Sequence, residues 1–265
     1  MVRIFTGFFT YGGILEACHD SLMRELLLAT TLKDVEMVVH RVSDDALISR
    51  SRSRAASRFL EASATPPPSV AFSGKGHSEA PIPFDVLFML DHDMAFRSGD
   101  LLATCQKAME TKGIVGGLYS NRAFAQGFTS RLKDEAVPIT IGEDQILPAQ
   151  YVATGFMAIH RSVLEKMLGY TKGDVAGLPV RRCAEFIKPD GSCRTFYNFF
   201  DCITVVSDMV KQDKDGVIYE ALSEDWSFSR KAQAVGVPLH VYAKPVLVHH
   251  GLHGYTQQDG MRPRR

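Results

Sequence analysis

No run of about 18 apolar residues occurs in the 265-residue chain, so nothing in it reads as a bilayer-spanning helix. Net charge is missing too. Thirty basic and 30 acidic residues balance, which removes a global field toward nucleic acid or membrane, allows a local basic patch and leaves function to individual sites. Cys18, Cys105, Cys183, Cys193 and Cys202 are odd in number, widely spaced and without a C-x-x-C pair, which favours free thiols in a reducing compartment. The opening MVRIFTGFFTYGG holds too short an apolar run for a signal peptide. There is no internal repeat. The expectation is a soluble, cytoplasmic protein whose 45% hydrophobic content can fill one large core.

What is present alternates between strand and helix. Residues 2 to 9 read as a strand, followed by a Tyr11-Gly12-Gly13 turn and a helix from Leu15 to Ala29 with apolar residues at Leu15, Leu22, Leu26 and Ala29. Val35 to Val42 is a second strand, after which Asp44-Asp45 can cap a helix over 46–62. Prolines and a Ser/Gly cluster make 64–83 a loop. Val86-Leu87-Phe88-Met89-Leu90 is a strand apolar on both faces, as in a sheet covered by helices. Helix 100–111, strand 113–115 and a Gly116-Gly117 pair come next, the glycines read as a turn or a close backbone approach to a ligand. Residues 120–150 look irregular and include a hairpin at most. A strand from Tyr151 to Ile159 breaks at Gly155 and leads to helix 162–168. Helix 223–235, strand 239–242 and Val246-Leu247-Val248-His249-His250-Gly251 close the pattern, which is α/β.

Chemistry gathers at a few strand and helix ends. Asp91-His92-Asp93 follows the buried strand, and ligands in such sheets bind beyond the carboxyl ends of strands. Two residues apart in extended chain, both carboxylates point the same way and call for a cation such as Mg²⁺ or Mn²⁺; the alternative is a solvated turn. Glu224 and Asp225 stand in the first turn of a helix, where the dipole favours acids whether as caps or as catalytic groups. Trp226 beside them suits sugar stacking or core anchoring. His249 ends a strand and can join Asp93 on a cation, while His250 leaves the other face. Arg50, Arg54 and Arg58 share a helix face, with Arg52 apart from it, and read as phosphate contacts or, for Arg54 and Arg58, a solvated face.

Five motifs in order carry a resemblance over most of the chain: Tyr11-Gly12-Gly13; Leu47-Ile48-Ser49-Arg50-Ser51-Arg52 with Phe59-Leu60; Asp91-His92-Asp93 with Phe96; Thr154-Gly155-Phe156-Met157; and Ser223-Glu224-Asp225-Trp226-Ser227-Phe228 with His249-x-Gly251. Together they resemble GT-A-type glycosyltransferases, in particular small ones from bacteriophages and bacteria. The resemblance implies a GT-A-like, Rossmann-like mixed sheet flanked by helices in one domain. Residues 1–120 would form its nucleotide-sugar half and 121–265 its acceptor half.

On that resemblance Asp93, Asp91 and His249 would hold Mn²⁺ or Mg²⁺. Asp91, Arg52, Arg50, Gly12, Thr154 and Gly155 would bind the donor, foremost a UDP-sugar. Asp225, with Glu224, would serve catalysis as the base. The acceptor is open among glycans, proteins and hydroxymethylated pyrimidines of phage DNA, the last placing the enzyme in a host cytoplasm. DNA would need Arg50 to Arg58, Lys75 and the Arg262-Pro263-Arg264-Arg265 tail on phosphates, with Trp226 or the Phe196 to Phe200 cluster stacking an extruded base. A dehalogenase-like phosphohydrolase, with Asp91 as nucleophile, and a non-catalytic nucleotide-sugar-binding module are the alternatives.

Overall fold

The structure, a computed structural model, describes residues 1–10, 13–43, 45–62, 83–122, 127–134, 136–169, 179–187, 191, 193–206, 216–251 and 254–260. Gly12, Asp44, the 64–82 stretch with Lys75 and the 262–265 tail lie outside them. In chain order the first elements are β1 (Val2–Thr10), α1 (Glu16–Thr31), β2 (Val35–Ser43), α2 (Ile48–Glu61), β3 (Val86–Asp91), β4 (Met94–Ala95) and α3 (Asp100–Thr111). Then follow β5 (Ile114–Gly117), β6 (Arg131–Leu132), β7 (Ile146–Tyr151), β8 (Phe156–His160) and α4 (Arg161–Leu168). The remainder comprises β9 (Arg182–Ile187), β10 (Cys193–Tyr197), β11 (Ile203–Val206), β12 (Tyr219–Leu222), α5 (Glu224–Ala234), β13 (Leu239–Tyr242), β14 (Val248–His250), β15 (Gly254–Thr256) and α6 (Gln257–Gly260).

Eight strands form one mixed sheet in the order β2-β1-β3-β8-β5-β13-β7-β6. This is the α/β sheet between helices that the sequence predicts, and it interleaves strands from the first and second halves of the chain. Strand β3 shows why both faces are buried. Leu87 and Met89 join the core under α2, α4 and α5, while Val86, Phe88 and Leu90 join the core under α1 and α3. Period-two alternation thus sends apolar side chains both ways, as a sheet covered by helices on both faces requires.

Four local expectations are corrected. Asp45 is no helix cap residue, since α2 begins after Leu47; its carboxylate instead accepts the Leu47 amide at 3.1 Å and pairs with Arg50 and Arg54. Gly116 and Gly117 form no turn. They lie inside β5, where Cβ atoms would stand 2.3 Å from Val152 Cγ1 and 2.4 Å from Leu247 Cδ1, so packing rather than a ligand excludes side chains. Tyr151 and Phe156 belong to different strands, β7 and β8, which do not pair with each other. Finally, β14 leaves the main sheet to join β4 and β15 in a small antiparallel sheet, with His249 opposite Met94.

Helices α2 and α5 are docked onto the same segment by hydroxyls. Ser53 and Ser57 accept the amides of Phe200 and Tyr197 at 3.0 and 2.8 Å, and Ser227 accepts that of Ile203 at 3.1 Å. Lys231, 1% exposed, donates to the Asn198 carbonyl at 2.9 Å and pairs with Asp201; burial lowers its affinity for a proton. Phe199 and Phe200 are fully buried beneath, the latter stacked on Phe228 at 4.1 Å, so neither is a platform for an extruded base.

Candidate functional site

The parallel strands β1, β3 and β5 end at one edge of the sheet, and antiparallel β8 begins there, which brings Asp91, Thr154, Gly155 and the 118–122 segment together. Asp91 is the last residue of β3. His92 and Asp93 form a turn, pinned by the His92 amide on the Phe9 carbonyl at 3.0 Å. The extended geometry that would aim both carboxylates at one point therefore stops between them, and Asp91 and Asp93 take different partners.

Asp91 faces Arg52. The Arg52 guanidinium donates Nη2 to both Asp91 oxygens at 2.9 and 2.7 Å and Nη1 to Glu224 at the start of α5, while its carbon centre lies 5.8 Å from the Phe9 ring centroid. Arg52 is 4% exposed. Its burial opposes the charge, but Asp91, Glu224 and Asp225 more than offset that and hold it firmly protonated. Arg52, expected as a donor contact, thus has its two terminal nitrogens on carboxylates. Arg50, expected beside it, turns away to a forked pair with Asp45 at 2.9 and 2.7 Å, and Arg54 bridges Asp45 and Glu185 rather than facing solvent alone.

Asp93 faces His249. The pairing of β4 with β14 and the His250 amide on the Asp93 carbonyl at 2.8 Å set the two strands side by side. His249 Nδ1 lies 3.0 Å from the Ser120 carbonyl oxygen, which can only accept, so Nδ1 carries a proton and Nε2 is the nitrogen presented to Asp93 Oδ2 at 3.5 Å. Burial pushes the Asp93 carboxyl up, but His249, followed by Arg122 and His92, outweighs it and holds Asp93 below the usual carboxylate range. Asp93 Oδ1 and the Ser120 hydroxyl are buried without a hydrogen-bond partner. Orphaned oxygens of this kind, beside a carbonyl-oriented imidazole, fit a hard divalent cation that lacks some of its ligands from protein. Among the described residues no group of three His, Cys, Asp or Glu side chains could hold a metal, so remaining ligands would come from substrate or water.

Tyr119 joins the two halves. Its ring meets His249 edge-on at 5.2 Å, and its hydroxyl accepts the Gly155 amide at 2.9 Å. A Cβ on Gly155 would stand 2.6 Å from that hydroxyl and 3.4 Å from Asp91 Oδ2, which explains why this position carries no side chain. Burial, then the Asp91 and Asp225 charges, keep the phenol protonated. Thr154 is buried in the turn before β8. Asp225, at the second position of α5, accepts the Trp226 amide at 2.8 Å and the Ser223 hydroxyl through Oδ1. Trp226 is half-buried, stacked in parallel on Tyr151 at 4.3 Å and packed against the Tyr151, Ile203 and Leu222 cluster, which makes it an anchor.

Arg122, Tyr119 and Ser120 were missed in the sequence. Their signal was the carboxyl-end rule itself, applied to the strand before them as it was to β3.

No protein-family model matches the chain, and no curated protein matches it. Among solved structures, A197 from STIV is similar at 16% sequence identity and a TM-score of 0.50, over 95% of this chain and 86% of that one. GalNAc-T7 with UDP, GalNAc and Mn²⁺ aligns at 9% identity and a TM-score of 0.48, over 94% of this chain and 43% of that one. At such identities the likeness is one of fold alone, and no helix among the described residues is long and apolar enough to cross a membrane.

Proposed function

We propose that the chain is a glycosyltransferase of GT-A type that moves a sugar from a nucleoside diphosphate sugar, foremost a UDP-sugar, to an acceptor hydroxyl. The observation that carries this reading is the Asp93–His249 pair at the sheet edge, with a buried carboxylate oxygen left unpartnered and Nε2 presented by a fixed tautomer. Asp93 and His249 would hold Mn²⁺ or Mg²⁺. When bound, such a cation supplies positive charge to the leaving diphosphate. Asp91, held by Arg52, would orient the donor through the acceptor lone pairs that Arg52 leaves free. Asp225 is the better base of the acid pair, because Glu224 is ion-paired with the buried Arg52 while Asp225 Oδ1 accepts only from the neutral Ser223 hydroxyl and Trp226 amide.

A phosphohydrolase reading loses ground here, since its nucleophile would be Asp91 and both Asp91 oxygens are on Arg52. The features named for a DNA acceptor also weaken. Arg50 and Arg54 are ion-paired and the Phe199-Phe200 pair is core, so the acceptor is proposed no more finely than a hydroxyl.

The test is UDP binding by calorimetry with Mn²⁺ and with excess chelator. Metal should be needed for tight binding. Asp93→Ala and His249→Ala should each weaken it by roughly tenfold or more, with less loss for His250→Ala. Donor hydrolysis or transfer by Asp225→Asn should fall by roughly 10²-fold at unchanged UDP affinity. Undiminished UDP binding in chelator would refute the metal assignment, and intact donor binding without any turnover would leave a binding module.

A further inference from the structure

Asp93 and His249 are sealed, with side chains 9% and 12% exposed, yet Asp93 Oδ2 has a second partner that reaches it from solvent. Arg122, 56% exposed at its side chain, places Nη1 3.1 Å from that oxygen. What aims it is Gly251. A Cβ on Gly251 would stand 3.2 Å from Arg122 Cδ and 3.6 Å from its Cβ, so the bare glycine backbone is the surface along which the arginine stem lies. The glycine two residues after His249 in the C-terminal motif thereby acquires a physical role that cation ligation does not give it.

A guanidinium and a divalent cation cannot both neutralise one carboxylate at full strength, because each repels the other at this range. The buried members of the cluster cannot leave; the exposed arm can. We infer that Arg122 is an exchangeable counter-ion of Asp93. It holds the carboxylate in the cation-free protein, gives way when a divalent cation arrives, and then stands at the mouth of the site where its planar fork meets the donor's diphosphate. This inference rests on the metal reading above and adds to it a residue that opposes cation binding while favouring diphosphate binding.

The two halves predict effects of opposite sign from one substitution. Arg122→Met keeps the apolar stem on Gly251 and removes the charge. Mn²⁺ binding without nucleotide, followed by electron paramagnetic resonance, should tighten by about tenfold in this variant. UDP binding at saturating Mn²⁺ should weaken by about tenfold. Gly251→Ala, which crowds the stem, should move both quantities the same way by less. Arg194→Met, which removes an exposed arginine from β10, should move neither, separating local contact from overall charge. Unchanged or weaker Mn²⁺ binding by Arg122→Met overturns the counter-ion role, and unchanged UDP binding overturns the diphosphate role. Absence of Mn²⁺ binding by both the parent and Arg122→Met would instead remove the metal reading, and this inference with it.

Discussion

Arg52→Met is the substitution on which the sequence and the structure disagree most. If Arg52 were a free donor contact, its loss would weaken nucleotide binding and leave stability untouched. The structure instead puts a 4% exposed guanidinium between Asp91 and Glu224, with Asp225 near enough to strengthen its charge. Removing the cation leaves two carboxylates facing each other. Breaking a buried pair from one side costs about 3–5 kcal/mol. Side-chain exposures of 25% for Asp91 and 17% for Glu224 let water relieve part of that, which sets the expectation at the lower end, about 3 kcal/mol. In urea titrations this is a fall in midpoint on the order of 1 M at an unchanged slope. Adding Asp91→Asn and Glu224→Gln to Arg52→Met should recover at least half of the loss, because the neutral amides no longer repel. A cost below about 1 kcal/mol for Arg52→Met, or no recovery in the triple variant, would refute the bridge.

Gly155→Ala should destabilise by about 1–3 kcal/mol through overpacking, since its Cβ would meet the Tyr119 hydroxyl. Thermal melts of Gly155→Ala in a Tyr119→Phe background should show a smaller penalty; an equal one would clear the hydroxyl of blame. The hydrogen bond from Arg50, ahead of other contacts, pulls Asp45 from an ordinary 3.8 down to about 2, so its contribution to stability is present above pH 4 and lost as pH falls through 2. The difference in denaturant midpoint between the parent and Asp45→Asn should accordingly hold from pH 7 to about 5 and close toward pH 2. A gap that ignores pH would mean the Asp45 charge stabilises nothing.

Much of the architecture was legible in the chain because it depends on local pattern. Five apolar residues followed by Asp91 announce a strand buried on both faces, and Gly236, left-handed at φ 72°, stands just past the end of α5 as a helix-stopping glycine does. The sheet-edge location of the candidate site follows from the same pattern, as strand direction alone decides which ends converge. Partner choice among charges was not legible. Sequence spacing aims side chains only while the backbone stays regular, and the turn at His92 is where Asp91 and Asp93 part company. Arg50, Arg52 and Arg54 lie within one turn and a half of α2, yet Arg50 and Arg54 share the nearby Asp45, while Arg52 reaches Asp91 and Glu224, and Arg54 also Glu185, across the fold. Arg122 reaches Asp93 only because β14 pairs with β4 and brings Gly251 under its stem. Periodicity therefore set which residues face the core, whereas which cation each buried carboxylate holds was decided by distances that exist only once α2, α5 and the small β4-β14-β15 sheet have closed on the edge.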